Sequence, residues 1–247
     1  MCEKQIVMKD RLIVALDVPS RKEAFQLVKQ LDGEVGAYKI GMQLYNSEGP
    51  DIVRDISCLG GKVFVDLKFH DIPNTVAQVS RVITRRQAFM FTMHASGGYK
   101  MLKTANDAAM DEAQKTGVEK PLAVAVTVLT SISQQVFEEE IGIKRPIADQ
   151  VVEWAVLTQK AGLDGVVCSP WEISPIRKAC GKDFLIVTPG VRPTWAATND
   201  QERIMTPKEA MERGASYLVV GRPITTHPNP KEAARMVVAE MAEAVVE

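Results

Sequence analysis

The segment at 63–75, VFVDLKFHDIPNT, places charged side chains inside an apolar run. Asp66, Lys68 and Asp71 interrupt residues that are otherwise typical of a buried strand. Charged side chains are seldom fully buried without a partner, because an unpaired buried charge is very costly. An acid and a base two residues apart can offset part of that cost, and they can also stabilise charge on a reacting molecule. The segment therefore indicates either an internal ion-pair network or a catalytic site.

Strand geometry predicts where these side chains point. A two-residue period places Phe64, Asp66 and Lys68 on one face. The opposite face then carries the apolar residues Val65, Leu67 and Phe69. Lys39, in the preceding predicted strand, can point the same way as the charged pair. An alternating Lys–Asp–Lys array follows, in which each charge lies beside an opposite one.

Eight short apolar segments, mostly rich in β-branched residues, predict the elements that position this array. They lie at 12–18, 37–42, 62–69, 88–95, 121–129, 163–169, 184–190 and 216–222. Helical spacing of apolar residues fills the intervals, at 20–31, 49–60, 74–86, 99–117, 146–162, 169–181, 206–215 and 230–246. Ser20 and Glu23 predict a capping box at the first helix. Eight strand–helix units predict a (β/α)8 TIM barrel, an α/β fold forming a single domain over 1–247.

The main alternative fold is a doubly wound open sheet. It is disfavoured because no G-x-G-x-x-G or P-loop sequence follows the first predicted strand. In a barrel, the carboxyl ends of the strands form the active-site face. Polar residues come late in several predicted strands or just after them, namely Asp17, Thr127, Thr130, Arg192 and Arg222. We therefore expect these residues to share one mouth of the barrel with the Lys–Asp–Lys array.

The last two strand–helix loops indicate a phosphate ligand, since these loops often bind phosphate in this fold. The segment 188–201 offers Arg192, Gln201 and backbone amides, and 219–224 offers Gly221 and Arg222. Glycine allows close approach of the backbone, and a guanidinium contacts phosphate through two parallel donors. The alternative for Arg222 is a surface ion pair.

Composition excludes several classes of function. With 30 basic and 31 acidic side chains the formal net charge is -1, so we expect neither nucleic acid nor an anionic membrane as a partner. We find no apolar run long enough to span a bilayer and no signal peptide. The four cysteines have no C-x-x-C spacing and only three His accompany them, which predicts free thiols in the cytoplasm and no metal site.

Around Asp66-x-Lys68-x-x-Asp71 and the following IPNT, the sequence resembles the orotidine 5'-phosphate decarboxylase family. Further blocks resemble that family in its order along nearly the whole chain. They are ALDVPS (15–20), YKIGMQLYNSEGP (38–50), MHASGG (93–98), VTVLTS (126–131), GLDGVVCSP (162–170), VTPGVRP (187–193) and YLVVGRPIT (217–225). One departure lies at 85–94, where the family usually has a Gly and an acidic residue entering strand 4. This chain has Gln87, Ala88 and Phe89 there.

The resemblance implies a homodimer that converts orotidine 5'-phosphate to uridine 5'-phosphate and CO2 without metal or organic cofactor. It implies that Lys39, Asp66 and Lys68 form the charged array, with Lys68 donating a proton to C6 of the pyrimidine. Asp71 and Thr75 would join the array from the other subunit.

The resemblance also implies contacts with the substrate. Asp17 and Lys39 would contact the ribose hydroxyls, and Thr130 would lie beside the pyrimidine. The phosphate side would be held by Arg192, Gln201, Gly221 and Arg222.

Two other functions compete with this one. A metal-dependent sugar-phosphate aldolase or decarboxylase of the same barrel superfamily also carries D-x-K-x-x-D, but it needs an acidic metal ligand where this chain has Lys39. A non-catalytic sensor of phosphate ligands would need the phosphate-binding residues but not Lys68.

Overall fold

The computed structural model describes residues 8–196 and 205–244 of the chain. Eight parallel strands close into a barrel in their order along the chain. They span Leu12–Ala15 (β1), Ala37–Ile40 (β2), Val63–Phe69 (β3), Met90–His94 (β4), Leu122–Val126 (β5), Gly165–Val167 (β6), Leu185–Pro189 (β7) and Tyr217–Val220 (β8). The predicted (β/α)8 barrel is therefore confirmed, and each strand lies inside its predicted segment.

Helices surround the barrel and connect its strands. They span Arg21–Gln30 (α1), Met42–Glu48 (α2), Asp51–Cys58 (α3), Pro73–Arg85 (α4), Gly98–Thr116 (α5), Gln134–Glu139 (α6), Ile147–Lys160 (α7), Ile173–Cys180 (α8), Pro207–Glu212 (α9), Arg222–Thr225 (α10) and Pro230–Glu243 (α11), with 3-10 turns at Ala95–Gly97 and Pro170–Glu172. The sequence analysis misses α2, α6 and α10, because helices of seven residues or fewer are too short to show a clear helical repeat.

None of the described helices is long and apolar enough to cross a membrane.

Apolar side chains form two layers. One cluster comes from the strands alone and fills the barrel interior, with Ile13, Ala15, Ala37, Phe64, Met90, Val124, Val187 and Val219 buried in it. A larger cluster lies between the strands and the helices and includes Val65, against which Leu67 and Phe69 pack. The two faces predicted for the apolar residues of β3 are therefore those found in the structure.

The cysteines within the described ranges are free thiols. Cys58 is exposed, while Cys168 and Cys180 are buried. Burial raises the pKa of the Cys168 and Cys180 thiols, so both stay protonated and inert at neutral pH.

The start of α1 differs in part from its prediction. Ser20 caps the helix by accepting from the Glu23 N–H at 3.3 Å, as predicted. The Glu23 carboxylate, however, accepts from the Ser20 hydroxyl at 3.0 Å, so the reciprocal bond to the Ser20 backbone is missing. A complete capping box forms instead at Ser169 and Glu172, directly after β6, where the Ser169 N–H donates to the Glu172 carboxylate at 2.9 Å.

Burial raises the pKa of Glu172 to about 7 from its ordinary value of 4.5, against the opposing effect of its bond to the Ser169 backbone. Because the folded-state pKa is the higher one, the folded chain binds this proton more tightly than the unfolded chain does. The contribution of Glu172 to the stability of the folded state is fully present below pH 4.5 and is lost as the pH rises towards 7.

We expect Glu172→Gln to reduce the pH dependence of stability. Glutamine can keep the capping bond to Ser169 but carries no charge, so it removes the cost of ionisation. Relative to the parent, the free energy of unfolding of the variant should rise by about 2 kcal/mol between pH 5 and pH 8, measured by urea titration. Glu119→Gln, at an exposed position, is the control. A pH-independent difference would contradict the assignment.

The segment that departs from the family lies at the amino-terminal end of the barrel, away from the mouth. Gln87 follows α4 and adopts a positive φ of 56°, while its N–H donates to the Thr84 carbonyl at 2.8 Å. This is the left-handed position that ends many helices, where glycine is favoured because it has no Cβ. Phe89 then packs edge-on against Tyr217 at 6.0 Å between ring centroids. The unusual residues therefore affect a helix end and the closed base of the barrel.

We expect Gln87→Gly to stabilise the fold. The exposed Gln87 side chain makes no hydrogen bond or ion pair with another described residue, and glycine relieves the left-handed strain. The net gain should be about 1 kcal/mol, which raises the Tm by roughly 2–4 °C in a thermal melt of a chain this long. Gln87→Ala keeps the Cβ and should give no such rise. Equal effects of the two substitutions would show that the left-handed strain is not the cause.

Candidate active site

Four side chains of alternating charge form a chain across the barrel mouth. The Lys39 ammonium lies 3.0 Å from Asp17 Oδ1 and 3.8 Å from Asp66 Oδ2. The Lys68 ammonium lies 2.9 Å from Asp66 Oδ1. Asp66 and Lys39 are largely buried, with side chains 15% and 12% exposed, whereas Asp17 is 59% exposed. The four formal charges cancel, and Asp66 faces one ammonium with each of its oxygens.

Neighbouring strands bring these residues together. Lys39 lies opposite Ala15 on β1 and Phe64 on β3, and both partners point into the barrel interior. The same face of β3 carries Asp66 two residues after Phe64. Gly41 leaves room for the ion pair, since a Cβ there would lie 3.1 Å from both Lys39 Nζ and Asp17 Oδ1. Adjacent parallel strands thus place the four charges side by side at their carboxyl ends.

The backbone at Lys68 departs from a regular strand. Its φ is 54°, in the left-handed region, and the pairing of β3 with β4 shifts between Val65 and Phe69. A left-handed conformation costs a residue with a Cβ about 1–2 kcal/mol. Asp66 and Lys68 do meet as predicted, but regular two-residue alternation is the wrong reason. A bulge in β3 orients Lys68, and bulges of this kind commonly direct side chains beside active sites.

The structure does not bring Asp71 and Thr75 to these charges. Asp71 is exposed on the turn from β3 into α4, and Thr75 is exposed in the first turn of that helix. The Asp71 carboxylate accepts from the Ile72 N–H at 2.7 Å, and no ion pair joins it to another described residue. Ile72 beside it is 67% exposed, which is unusual for a large apolar side chain. Residues 71–75 therefore expose a carboxylate, a hydroxyl and an apolar side chain at the surface.

The two arginines of the predicted phosphate site follow neighbouring strands. Arg192 is buried just after β7, and its N–H donates to the Met205 carbonyl at 3.0 Å. Arg222 is exposed just after β8, with Gly221 as the N-cap residue of α10. The alternative of a surface ion pair is not found for Arg222 among residues 8–196 and 205–244. Gln201 lies outside the described residues.

The threonines after β5 differ from each other. Thr127 is buried, and its hydroxyl donates to the Val167 carbonyl of β6 at 3.2 Å. Thr130 is exposed, three residues farther along the loop. Thr127 thus joins two strands, while only Thr130 is free to face a ligand.

Sequence reasoning misses a buried hydroxyl on β4. Thr92 Oγ1 accepts from the Lys68 N–H at 2.9 Å and donates to Asp66 Oδ1 at 3.0 Å. The available signal was a single hydroxyl residue within the apolar run MFTMH. Thr92 therefore contacts both the acid and the base of the D-x-K pair.

Two histidines lie close to the charged array. The His70 and His94 rings have centroids 5.4 Å apart. Burial lowers the pKa of His94, and the neighbouring His70 and Lys68 lower it further. His94 is therefore neutral at physiological pH and adds no positive charge beside Lys68.

In the described part of the chain, no three His, Cys, Asp or Glu side chains group as metal ligands.

Comparisons with known proteins agree with one another. Residues 10–237 match the model of the orotidine 5'-phosphate decarboxylase / HUMPS family. The orotidine 5'-phosphate decarboxylase of Syntrophomonas wolfei is 55% identical over 236 residues, covering 95% of this chain and 99% of the relative. That of Heliobacterium modesticaldum is 54% identical over 235 residues, covering 95% and 97%. The crystal structure of the Lactobacillus acidophilus orotidine 5'-phosphate decarboxylase has a TM-score of 0.83 at 38% identity, covering 93% of this chain and 98% of that one.

Proposed function

The chain belongs to the orotidine 5'-phosphate decarboxylase / HUMPS family, and we propose on that premise that it converts orotidine 5'-phosphate to uridine 5'-phosphate and CO2 in pyrimidine biosynthesis. The observation that carries the proposal is the largely buried Asp66 carboxylate, with an ammonium at each of its oxygens in the barrel mouth. Such an array supplies fixed charge without reorganisation during the reaction.

The proposed reaction starts with breakage of the bond between C6 and the carboxylate carbon. CO2 leaves, and the electron pair stays on C6 in the plane of the ring, where the π system delocalises it poorly. The Lys68 ammonium stabilises this developing charge and then donates its proton to C6. The resulting amine regains a proton from solvent. No metal or organic cofactor is required for this sequence.

Asp66 and Lys39 support Lys68 in this proposal. Asp66 holds Lys68 at 2.9 Å and lies near the departing carboxylate. Lys39 balances the second oxygen of Asp66 and, with Asp17, contacts the ribose hydroxyls. Repulsion between Asp66 and the substrate carboxylate adds a second contribution by raising the energy of the ground state.

The remaining substrate contacts come from loops at the same end of the barrel. Thr130 faces the pyrimidine, while Arg192, Gly221 and Arg222 hold the phosphate side together with Gln201. Charged donors on the neighbouring loops after β7 and β8 suit a phosphate, which is the part of the substrate remote from the reacting carbon. Binding energy from the phosphate can lower the barrier of the chemical step.

The metal-dependent aldolase or decarboxylase is not favoured. A divalent cation at the strand-2 position would meet the Lys39 ammonium, which is already paired with two carboxylates. A sensor is disfavoured because simple retention of a phosphate ligand gives no reason for the strained backbone at Lys68.

We also propose a homodimer in which Asp71 and Thr75 complete the partner's site. Both residues are exposed, and the exposed Ile72 between them suits burial against a second copy. Free thiols at Cys58, Cys168 and Cys180 suit a reducing compartment, so we place the enzyme in the cytoplasm.

The direct test of the activity is loss of orotate absorbance with purified protein and a chelator present. We expect turnover to persist in the chelator and to fall by at least about a thousandfold in Lys68→Ala, because that variant loses both the fixed cation and the proton donor. Lys103→Ala removes an exposed lysine of α5 that pairs with Asp107, and it should leave turnover unchanged. Near-normal turnover in Lys68→Ala would refute the mechanism, and loss of activity with chelator would favour the metal-dependent reaction.

The shared site is tested by mixing two inactive variants. In a hybrid of Asp71→Ala and Lys68→Ala subunits, one of the two sites keeps both residues. Since about half of the dimers in an equal, fully exchanged mixture are hybrids, activity should recover to about a quarter of the parent value. Mixing Lys39→Ala with Lys68→Ala is the matched control, since both residues belong to one subunit's array and no hybrid site is intact. Absence of recovery despite demonstrated subunit exchange would contradict the shared site.

A further inference from the structure

The pairing of β3 with β4 contains an unusually large irregularity beside the charged array. Val65 pairs with Phe91, and Phe69 pairs with Met93. Three residues of β3 therefore lie opposite a single residue of β4, Thr92. The β3 backbone bulges at this point and cannot use the regular ladder of hydrogen bonds.

The Thr92 side chain replaces a backbone acceptor of that hydrogen-bond ladder. The Lys68 N–H donates to Thr92 Oγ1 at 2.9 Å, so a hydroxyl accepts where a strand carbonyl ordinarily would. Thr92 is fully buried, so water does not compete for this bond. An unpaired N–H away from water is costly, so this contact stabilises the left-handed conformation of Lys68.

The same hydroxyl reaches the array. Its own proton goes to Asp66 Oδ1 at 3.0 Å, and that oxygen also accepts from the Lys68 ammonium at 2.9 Å. The hydroxyl accepts from the Lys68 backbone and gives its single proton to Asp66 Oδ1, which accepts both this bond and the one from the Lys68 ammonium. A closed ring results, which joins the Lys68 backbone, the Thr92 hydroxyl, the Asp66 carboxylate and the Lys68 side chain.

We propose that Thr92 is a positioning residue for the decarboxylation, which fixes the Lys68 backbone and the Asp66 carboxylate through one hydroxyl. The expected effect of Thr92 on catalysis rests on the proposed function. The hydrogen bonds of Thr92 to Lys68 and Asp66 do not depend on that function. With the hydroxyl removed, both ends of the ring are released together, and the ammonium loses its alignment with the reacting carbon. The hydroxyl acts on the transition state through Lys68, so kcat should suffer more than KM.

The test compares Thr92→Val, which removes the hydroxyl at similar volume, with Thr92→Ser, which keeps it. We expect kcat of Thr92→Val to fall about tenfold to a hundredfold while KM changes by less than about threefold. Thr92→Ser should retain kcat within about threefold of the parent. Thr158→Val is the matched control, because its fully buried hydroxyl bonds to the Trp154 carbonyl within α7 and to no other described residue. That control should leave kcat unchanged at equal folded fraction.

Three results would overturn the inference. Parent-like kcat in Thr92→Val would show that the hydroxyl does not position Lys68. Equal impairment in Thr92→Ser, which keeps the hydroxyl, would assign the effect to packing around this side chain, and a rise in KM at constant kcat would assign it to substrate binding. If the valine variant does not fold, Thr92→Ala is judged by the same criteria.

Amide hydrogen exchange at Lys68, followed by NMR without substrate, separates this inference from the proposed function. The Lys68 amide should be protected in the parent and in Thr92→Ser, and it should exchange at least about tenfold faster in Thr92→Val. An unprotected amide in the parent would overturn the inference whatever the activity. A protected amide in a chain that leaves orotidine 5'-phosphate unchanged would instead refute the proposed function alone.

Discussion

Two ammonium groups share one carboxylate at the mouth of this barrel, and the surrounding structure serves to keep them there. Asp66 is only 15% exposed, and an isolated carboxylate at such a place would take up a proton or draw in water. Lys39 and Lys68 remove that instability, and Asp17 in turn balances Lys39. Pairing of this kind offsets the desolvation cost without making the network a large source of stability. Its value lies in holding a cation at a defined place.

A closed parallel barrel is well suited to this task. Because neighbouring strands run in the same direction, their carboxyl ends meet at one face, and β1, β2 and β3 each contribute charges to it. Because the barrel is closed, the loops after β7 and β8 lie at that same face. Residues far apart in the chain thus become neighbours with little need for long connections.

The opposite end of the barrel uses its cations differently. The Arg177 guanidinium donates to the carbonyls of Gly181, Lys182, Phe184 and Gly214 at 2.6–2.9 Å, which ties the end of α8 to the loop before β8. Arg11 donates to the Ser216 carbonyl at 2.9 Å in the same region. These arginines meet backbone carbonyls and so join strand ends, whereas the lysines at the mouth meet carboxylates.

The amino-acid sequence by itself determined the barrel, because apolar strands alternating with amphipathic helices leave few ways to bury both faces. It also predicted Lys39 and Asp66 as neighbours, since both come late in adjacent strands, and it placed Lys68 two residues after Asp66. Short helices such as α2 were missed because they span too few turns to show a period. The bulge that turns Lys68 and the hydroxyl of Thr92 that holds it were decided only by the tertiary structure. Their contacts depend on how β3 aligns with β4, and a left-handed lysine cannot be read from local residue preferences.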